Sequence, residues 1–254
     1  MQPNTTDFIA QKAFEATKNH WKEFILLPLL LSFIPLIPMI FIDELQLFGL
    51  SNFNKGLIAI ALVLIYMIIM ICYKNAAAFW CQNIHKGKKF QFKKGLIYGK
   101  SRFWGVVWTT FISIIKVILW SLLLILPGIY KAIAYIHSIQ VSQLEKISGS
   151  DANRVSQTFV RGSGMLRTIG NLFSISTVVI FATYILFAVV FLASFLLLSS
   201  NPVAAEIVTA VIISIISMIS GMYLQIFMNF QYLIYRDENK SALTKMKRRF
   251  AKMR

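Results

Sequence analysis

Acidic side chains are scarce in this sequence: 10 Asp and Glu stand against 26 Lys and Arg. None of the ten lies in the core of a long apolar run. A proton- or sodium-coupled transporter usually needs a carboxylate inside the membrane, so the sequence argues against that class. Histidine is rarer still. His20, His85 and His137 are scattered, and none has a second ligand at metal-binding spacing. There is no H-E-x-x-H and no phosphate-cradling glycine loop. Without a nucleophile–base pair, paired carboxylates or a metal cluster, no enzyme, metal centre or cofactor is expected. Cysteine is limited to Cys72 and Cys81. Nine residues apart on one helix, they are separated by more than about 10 Å of rise. A disulfide needs Cα atoms within roughly 7 Å, so two free thiols are expected. Charge of either sign is low, at 14% of residues. Ordinary soluble domains carry about 25%.

Apolar residues fill the gap, at 57% of the chain with a mean hydropathy of +0.67. A helix needs about 20 mostly apolar residues to cross roughly 30 Å of hydrocarbon. Six segments meet or approach that length: 24–42, 57–73, 104–126, 129–144, 169–198 and 208–235. The last two exceed a perpendicular span and must tilt or begin at the interface. The first carries Pro28, Pro35 and Pro38 and is too long for a signal h-region, so no cleaved leader is expected. The third and fourth are separated only by Pro127 and Gly128. Read as one helix they would be about 60 Å long, twice the membrane, so a hairpin at Leu126-Pro127-Gly128 is expected. The expected fold is all-α: a bundle of six transmembrane helices with short interfacial helices on the cytosolic side. Residues 1–236 form one membrane domain and 237–254 a basic cytosolic tail.

Charge tests this layout independently. The N-terminal segment, the loop after the second run, the loop after the fourth and the tail together hold 23 of the 26 Lys and Arg. The opposite side has only Lys55, with Asp43, Glu44 and Glu206. The positive-inside rule then places both termini in the cytosol. Trp21, Trp80, Trp104 and Trp108 fall at the cytosolic boundaries, where indole rings prefer to sit, and Trp120 is the exception inside the third run. Amphipathic stretches precede each helix pair, at 8–21, 90–103 and 151–165. The last follows Ser148-Gly149-Ser150-Asp151, which has capping-box spacing. It suits a helix lying on the inner surface. A net charge of +16 would suggest nucleic acid in a soluble protein. Here the basic residues flank apolar runs, so the expected partner is the bilayer, with anionic lipids at the cytosolic face and no nucleic acid.

Two polar stripes fall inside predicted spans. Thr109, Ser113 and Lys116 share a face of the third, and Lys131, Tyr135, Ser138, Ser142 and Glu145 share a face of the fourth. Ser214, Ser217 and Gly221 share one on the sixth. Two buried lysines without an acid suit an anionic guest such as a lipid phosphate. The candidate site is therefore Lys116, Lys131, Tyr135, Ser113, Ser138 and His137. The same residues also fit a bland account, in which Lys131 snorkels to the boundary and the small polar faces pack helices together.

Segment Leu126–Gly162 carries Leu126, Pro127, Gly128 and Ile129, then Glu145 at the end of a returning helix, then Ala152, Ser156 and Gly162. This pattern resembles a family of bacterial inner-membrane proteins of uncharacterised function. That family is related to the membrane domain beside some glycerophosphodiester phosphodiesterases. The chain departs from the pattern at Lys131 and His137, where apolar or small residues are expected, and at Asn153, where an aliphatic one is. The resemblance implies a six-helix fold and the bacterial inner membrane; it implies no activity. The leading expectation is a non-enzymatic membrane protein acting in lipid or envelope homeostasis. The alternatives are a carrier for an anionic or amphipathic molecule, and a membrane scaffold or assembly factor.

Overall fold

The computed structural model describes residues 6–32, 52–197 and 202–252, and these are helices joined by short turns, with no strand among them. Helix α1 covers Thr6–Asn19, and a π-helical turn at Lys22–Leu26 leads into α2 at Leu27–Ser32. The turn is widened beside Pro28, whose missing N–H cannot join the regular ladder, and Leu27 N–H bonds back to Lys22 instead. Then come α3 (Asn52–His85), α4 (Phe92–Ser101), α5 (Phe103–Leu123), α6 (Ile125–Ala134), α7 (Ser138–Glu145), α8 (Ser150–Ser163), α9 (Met165–Leu197), α10 (Pro202–Glu238) and α11 (Lys240–Lys252). Among the described residues, four stretches are long and apolar enough to cross a membrane: Gly56–His85, Phe103–Leu123, Met165–Ser194 and Val211–Glu238. Of the expected span 24–42, positions 33–42 lie outside the described residues.

The segment 129–144 is not one helix. It is broken by a turn at 135–137, with Tyr135 and His137 both near ψ 6°. The chain reverses at Leu124, which is extended (φ −159°, ψ 136°), rather than at Pro127-Gly128. Pro127 sits in the first turn of α6, where backbone N–H groups have no intrahelical partner to lose. Gly128 serves close packing: a Cβ there would lie 2.8 Å from Ser121 Cα on α5.

The buried core is concentrated at one end of the bundle. It joins Ile9 and Ala13 of α1, Tyr73 to Cys81 of α3, α8, and residues 222–235 of α10. Helices α3 and α10 run parallel there: Asn229 meets Cys81 at 3.8 Å and Asp237 meets His85 at 2.8 Å. Helix α9 runs antiparallel to α10, with Thr183 against Ser220 (2.8 Å) and Arg167 on Glu238 (2.6 Å). Away from the packed end, α3 and α9 expose apolar side chains such as Leu64, Ile68, Phe181 and Leu192. That surface is what lipid requires and water would punish.

Trp80, read from the sequence as a membrane-boundary residue, is fully buried in this core. Its ring packs on Phe24 (5.8 Å), Tyr73 (5.8 Å), Phe90 (5.3 Å) and Phe92 (5.4 Å), and its indole N–H donates to the Gln91 carbonyl at 3.3 Å. Helix α4 reaches α3 through Gly95 and Gly99; a Cβ at the first would strike the Trp80 indole and at the second the Cys72 carbonyl. Cys72 is half-buried, Cys81 is buried, and both thiols are free.

Helix α7 crosses α10 steeply. His137, just before it, packs on Tyr232 and Tyr235 (6.0 and 5.6 Å between centroids), while Glu145 at its far end reaches Tyr232 (3.1 Å) and Arg236 (3.7 Å). Eight residues of helix span about 12 Å. Were the helices aligned, these two contacts would fall roughly two turns apart on α10; instead they share one. Helix α11 folds back on this end through buried Leu243 and Phe250.

Candidate functional site

Helices α5 and α6 form an antiparallel pair that brings three of the six candidate residues, Lys116, Lys131 and Tyr135, together. From α5, Lys116 Nζ lies 6.0 Å from the Tyr135 ring centroid. From α6, Lys131 Nζ lies 5.6 Å from the same ring and 5.2 Å from Trp120. Lys116 also donates to Ser150 Oγ on α8. A cation over an aromatic face gains about 0.5–1 kcal/mol at an exposed site. Two ammonium groups on one ring repel each other, which offsets part of that gain. None of the ion pairs among the described residues involves Lys116 or Lys131.

Ser113, one turn below Lys116, is tied to the scaffold. Its hydroxyl donates to the Thr109 carbonyl at 2.7 Å, and the Asn153 side-chain amide sits 2.7 Å away. A hydroxyl has one proton, so the amide turned to present Nδ2 satisfies both groups. The stripe of Thr109, Ser113 and Lys116 thus faces helix α8 and the residue before it: Gly149 N–H donates to Thr109 Oγ1 at 2.8 Å. Gly149 itself has φ +64°, and a Cβ there would lie 2.9 Å from Trp108 Nε1. Glycine, not the Ser148 side chain, begins α8; no side-chain cap bond forms. The spacing expected of a capping box is occupied by a different device.

His137 and Ser138 do not join this cluster. The break at 135–137 turns them into the core, where both are fully buried. The His137 ring packs against Tyr232 and Tyr235, and its backbone N–H donates to Ser156 Oγ at 3.1 Å. The expected stripe from Lys131 to Glu145 is therefore cut in two by the turn.

Sequence reasoning missed Arg161. From α8 its Nε donates to Tyr130 Oη at 2.9 Å, and its guanidinium lies 6.0 Å from the Tyr130 ring. It adds a third cation to the α6 face without an ion-pair partner among the described residues. A basic residue on an amphipathic helix gives no hint, in sequence, of which neighbour it will meet. Also missed was the network that fixes α4 and α7 onto α3. Gln143 Nε2 donates to Asn75 Oδ1 (2.9 Å), Asn75 Nδ2 to the Gly99 carbonyl (3.2 Å), and Arg102 to the Ser142 carbonyl (2.6 Å). Tyr98 donates to the Gln143 carbonyl, and burial raises its pKa against the opposing pull of Arg102. A separate apolar groove of about 280 Å³ opens between α1, α9 and α10, lined by Phe14, Val178, Leu186, Met222 and Tyr223.

Comparison with protein-family models, with curated proteins and with solved structures returns no match. The functional reading therefore rests on the residues and their geometry.

Proposed function

We propose that this chain is a non-enzymatic, multi-pass protein of the bacterial inner membrane that binds an anionic phospholipid headgroup at the α5–α6–α8 face. Its role would lie in lipid or envelope homeostasis. One observation carries the reading: Lys116, Lys131 and Arg161 converge on Tyr130 and Tyr135 with no carboxylate partner among the described residues. Positive charge gathered beside aromatic and apolar surface suits a phosphate whose acyl chains remain in the bilayer. The distribution of 23 of the 26 Lys and Arg supports a cytosolic packed end and cytosolic termini. Termini on one side require an even number of crossings. The resemblance of segment Leu126–Gly162 supports the same membrane.

The test is native mass spectrometry of the purified protein with added phosphatidylglycerol, comparing wild type with the Lys116→Ala, Lys131→Ala double variant. Each basic residue near a lipid surface contributes about 1 kcal/mol, so the pair contributes ~2 kcal/mol, or roughly 30-fold in affinity. The double variant is expected to lose retained lipid accordingly. Equal retention by both proteins would sink the reading. The groove between α1, α9 and α10 favours a second reading, a carrier for an amphipathic molecule, which a lipid-flux assay in vesicles would distinguish by showing transfer rather than retention.

A further inference from the structure

We infer that the α5–α6 hairpin does not cross the bilayer but lies in the inner leaflet, with its apolar outer face among acyl chains and its polar inner face covered by α8. The inference shares with the proposed function only the cytosolic orientation of the packed end.

Charged groups lie beside the middle of α5. The middle of that helix, Thr109 to Lys116, is bonded to Gly149, Asn153 and Ser150. Helix α8 also carries Asp151 and Arg154, an ion pair at 3.6 Å whose side chains are 34% and 63% exposed. Asp151 further shares a surface pocket with Lys146, Lys247 and Phe250 of the loop and α11. Charged groups at the centre of a bilayer cost about 2.5–3.5 kcal/mol each on insertion scales. Exposed charges flanking the midpoint of α5 place that midpoint at the water boundary, not 15 Å or so inside.

The tip of the hairpin is tied close to the polar end of α10. Tyr130 of α6 is held by Arg161 at 2.9 Å. Two residues further along α8, Ser163 bonds to Asn239 and Glu238, both at 3.0 Å, at the polar end of α10. From Tyr130 back to the reversal at Leu124 is six residues, about 9 Å of rise. Hydrocarbon is roughly 30 Å thick. A tip anchored at the charged end of α10 and only 9 Å or so longer cannot emerge on the far side.

The outer face of the hairpin is apolar. Trp104, Phe111, Ile118, Leu122 and Leu126 are exposed along one side of the hairpin. Lys131 and Arg161 lie along its rim, on the Tyr130 and Tyr135 rings. An apolar face bordered by cations and tryptophan is the pattern of a helix lying in the interface beside anionic headgroups. Trp120, anomalous in a spanning helix, then sits at the boundary with Trp104 and Trp108. Removing two crossings keeps their number even, so the charge asymmetry across the membrane is unchanged. The crossings are then the four segments 24–42, 57–73, 169–198 and 208–235.

The experiment uses full-length protein in native membranes, in a Cys72→Ala, Cys81→Ala background. A Leu124→Cys protein is treated with a membrane-impermeant maleimide in intact cells, then in detergent. The inference predicts no labelling in cells and full labelling in detergent. Labelling in intact cells overturns it. A Ser113→Cys, Asn153→Cys protein is oxidised in parallel. A disulfide is expected, because an inner-leaflet hairpin lies against α8, whereas a hairpin that spans carries Ser113 out of reach of a surface helix. Leu124 is exposed at the tip and bears no packing, so its readout stands even where the double variant does not accumulate. Loss of phosphatidylglycerol binding would leave both results untouched, which separates this inference from the headgroup site.

Discussion

Replacing Glu145 by Ala is expected to destabilise the protein by about 3–5 kcal/mol, the usual cost of stripping one partner from a buried ion pair. The Glu145 carboxylate is 7% exposed and the Arg236 guanidinium 10%. Glu145 accepts from Tyr232 Oη at 3.1 Å and from Lys247 Nζ at 2.6 Å, and it lies 3.7 Å from Arg236. Three elements therefore depend on one carboxylate: α7, the end of α10, and the tail helix α11. Lys247 can turn to water, being 45% exposed. Among the described residues Arg236 keeps only Asp237 as an ion-pair partner, at 3.0 Å, and that carboxylate is shared with His85. Glu145→Gln preserves volume and the acceptor for Tyr232 but loses both cations, so most of the loss should remain. Thermal unfolding in detergent should show a fall of about 6–20 °C, since each kcal/mol moves a domain of this size by roughly 2–4 °C. A melting curve unchanged in both variants would show that the cluster does not hold α7 and α11 to the core.

Trp80→Ala should cost a comparable ~3–5 kcal/mol, as expected for deleting a fully buried aromatic from a well-packed core. Its exposure is 0%, and four aromatic rings surround it within 5.8 Å. Such ring pairs add about 0.5–1.5 kcal/mol each beyond area burial. The cavity left behind closes poorly, because Gly99 already holds α4 against the α3 backbone at Cys72, while at Gly95 the contact that is lost is the indole itself. Trp80→Phe keeps part of the ring packing and loses the bond to Gln91, so a smaller fall is expected. The same unfolding assay checks the pair: a Trp80→Ala protein as stable as Trp80→Phe would place this tryptophan at a lipid boundary after all.

Helices and their apolar faces were legible in the sequence because hydropathy and the 3.6-residue period are local properties. The stripe of Thr109, Ser113 and Lys116 was likewise legible as a face, and it is one. What covers it was not. A run of 21 apolar-rich residues with one polar stripe looks the same whether that stripe lines a membrane interior or meets an amphipathic helix at the surface. The distinction depends on α8, whose contacts with α5 bridge 40 residues at Gly149 and Asn153. The break at 135–137 was hidden for a related reason: Tyr135, Ile136 and His137 carry no proline or glycine, and burial of His137 against Tyr232 and Tyr235 fixes the turn from outside. Trp80 misled because indole suits a membrane boundary and a core equally well, and position in a run of apolar residues does not separate them.

Orientation of the packed end supports the headgroup site and the inner-leaflet hairpin alike, so it is the claim to test first. Lys88 and Ser241 are both exposed at that end. In the cysteine-free background, Lys88→Cys and Ser241→Cys proteins should react with an impermeant maleimide in inside-out vesicles and stay unreacted in intact cells. Reaction of either protein in intact cells would put the packed end on the outer side and contradict the account.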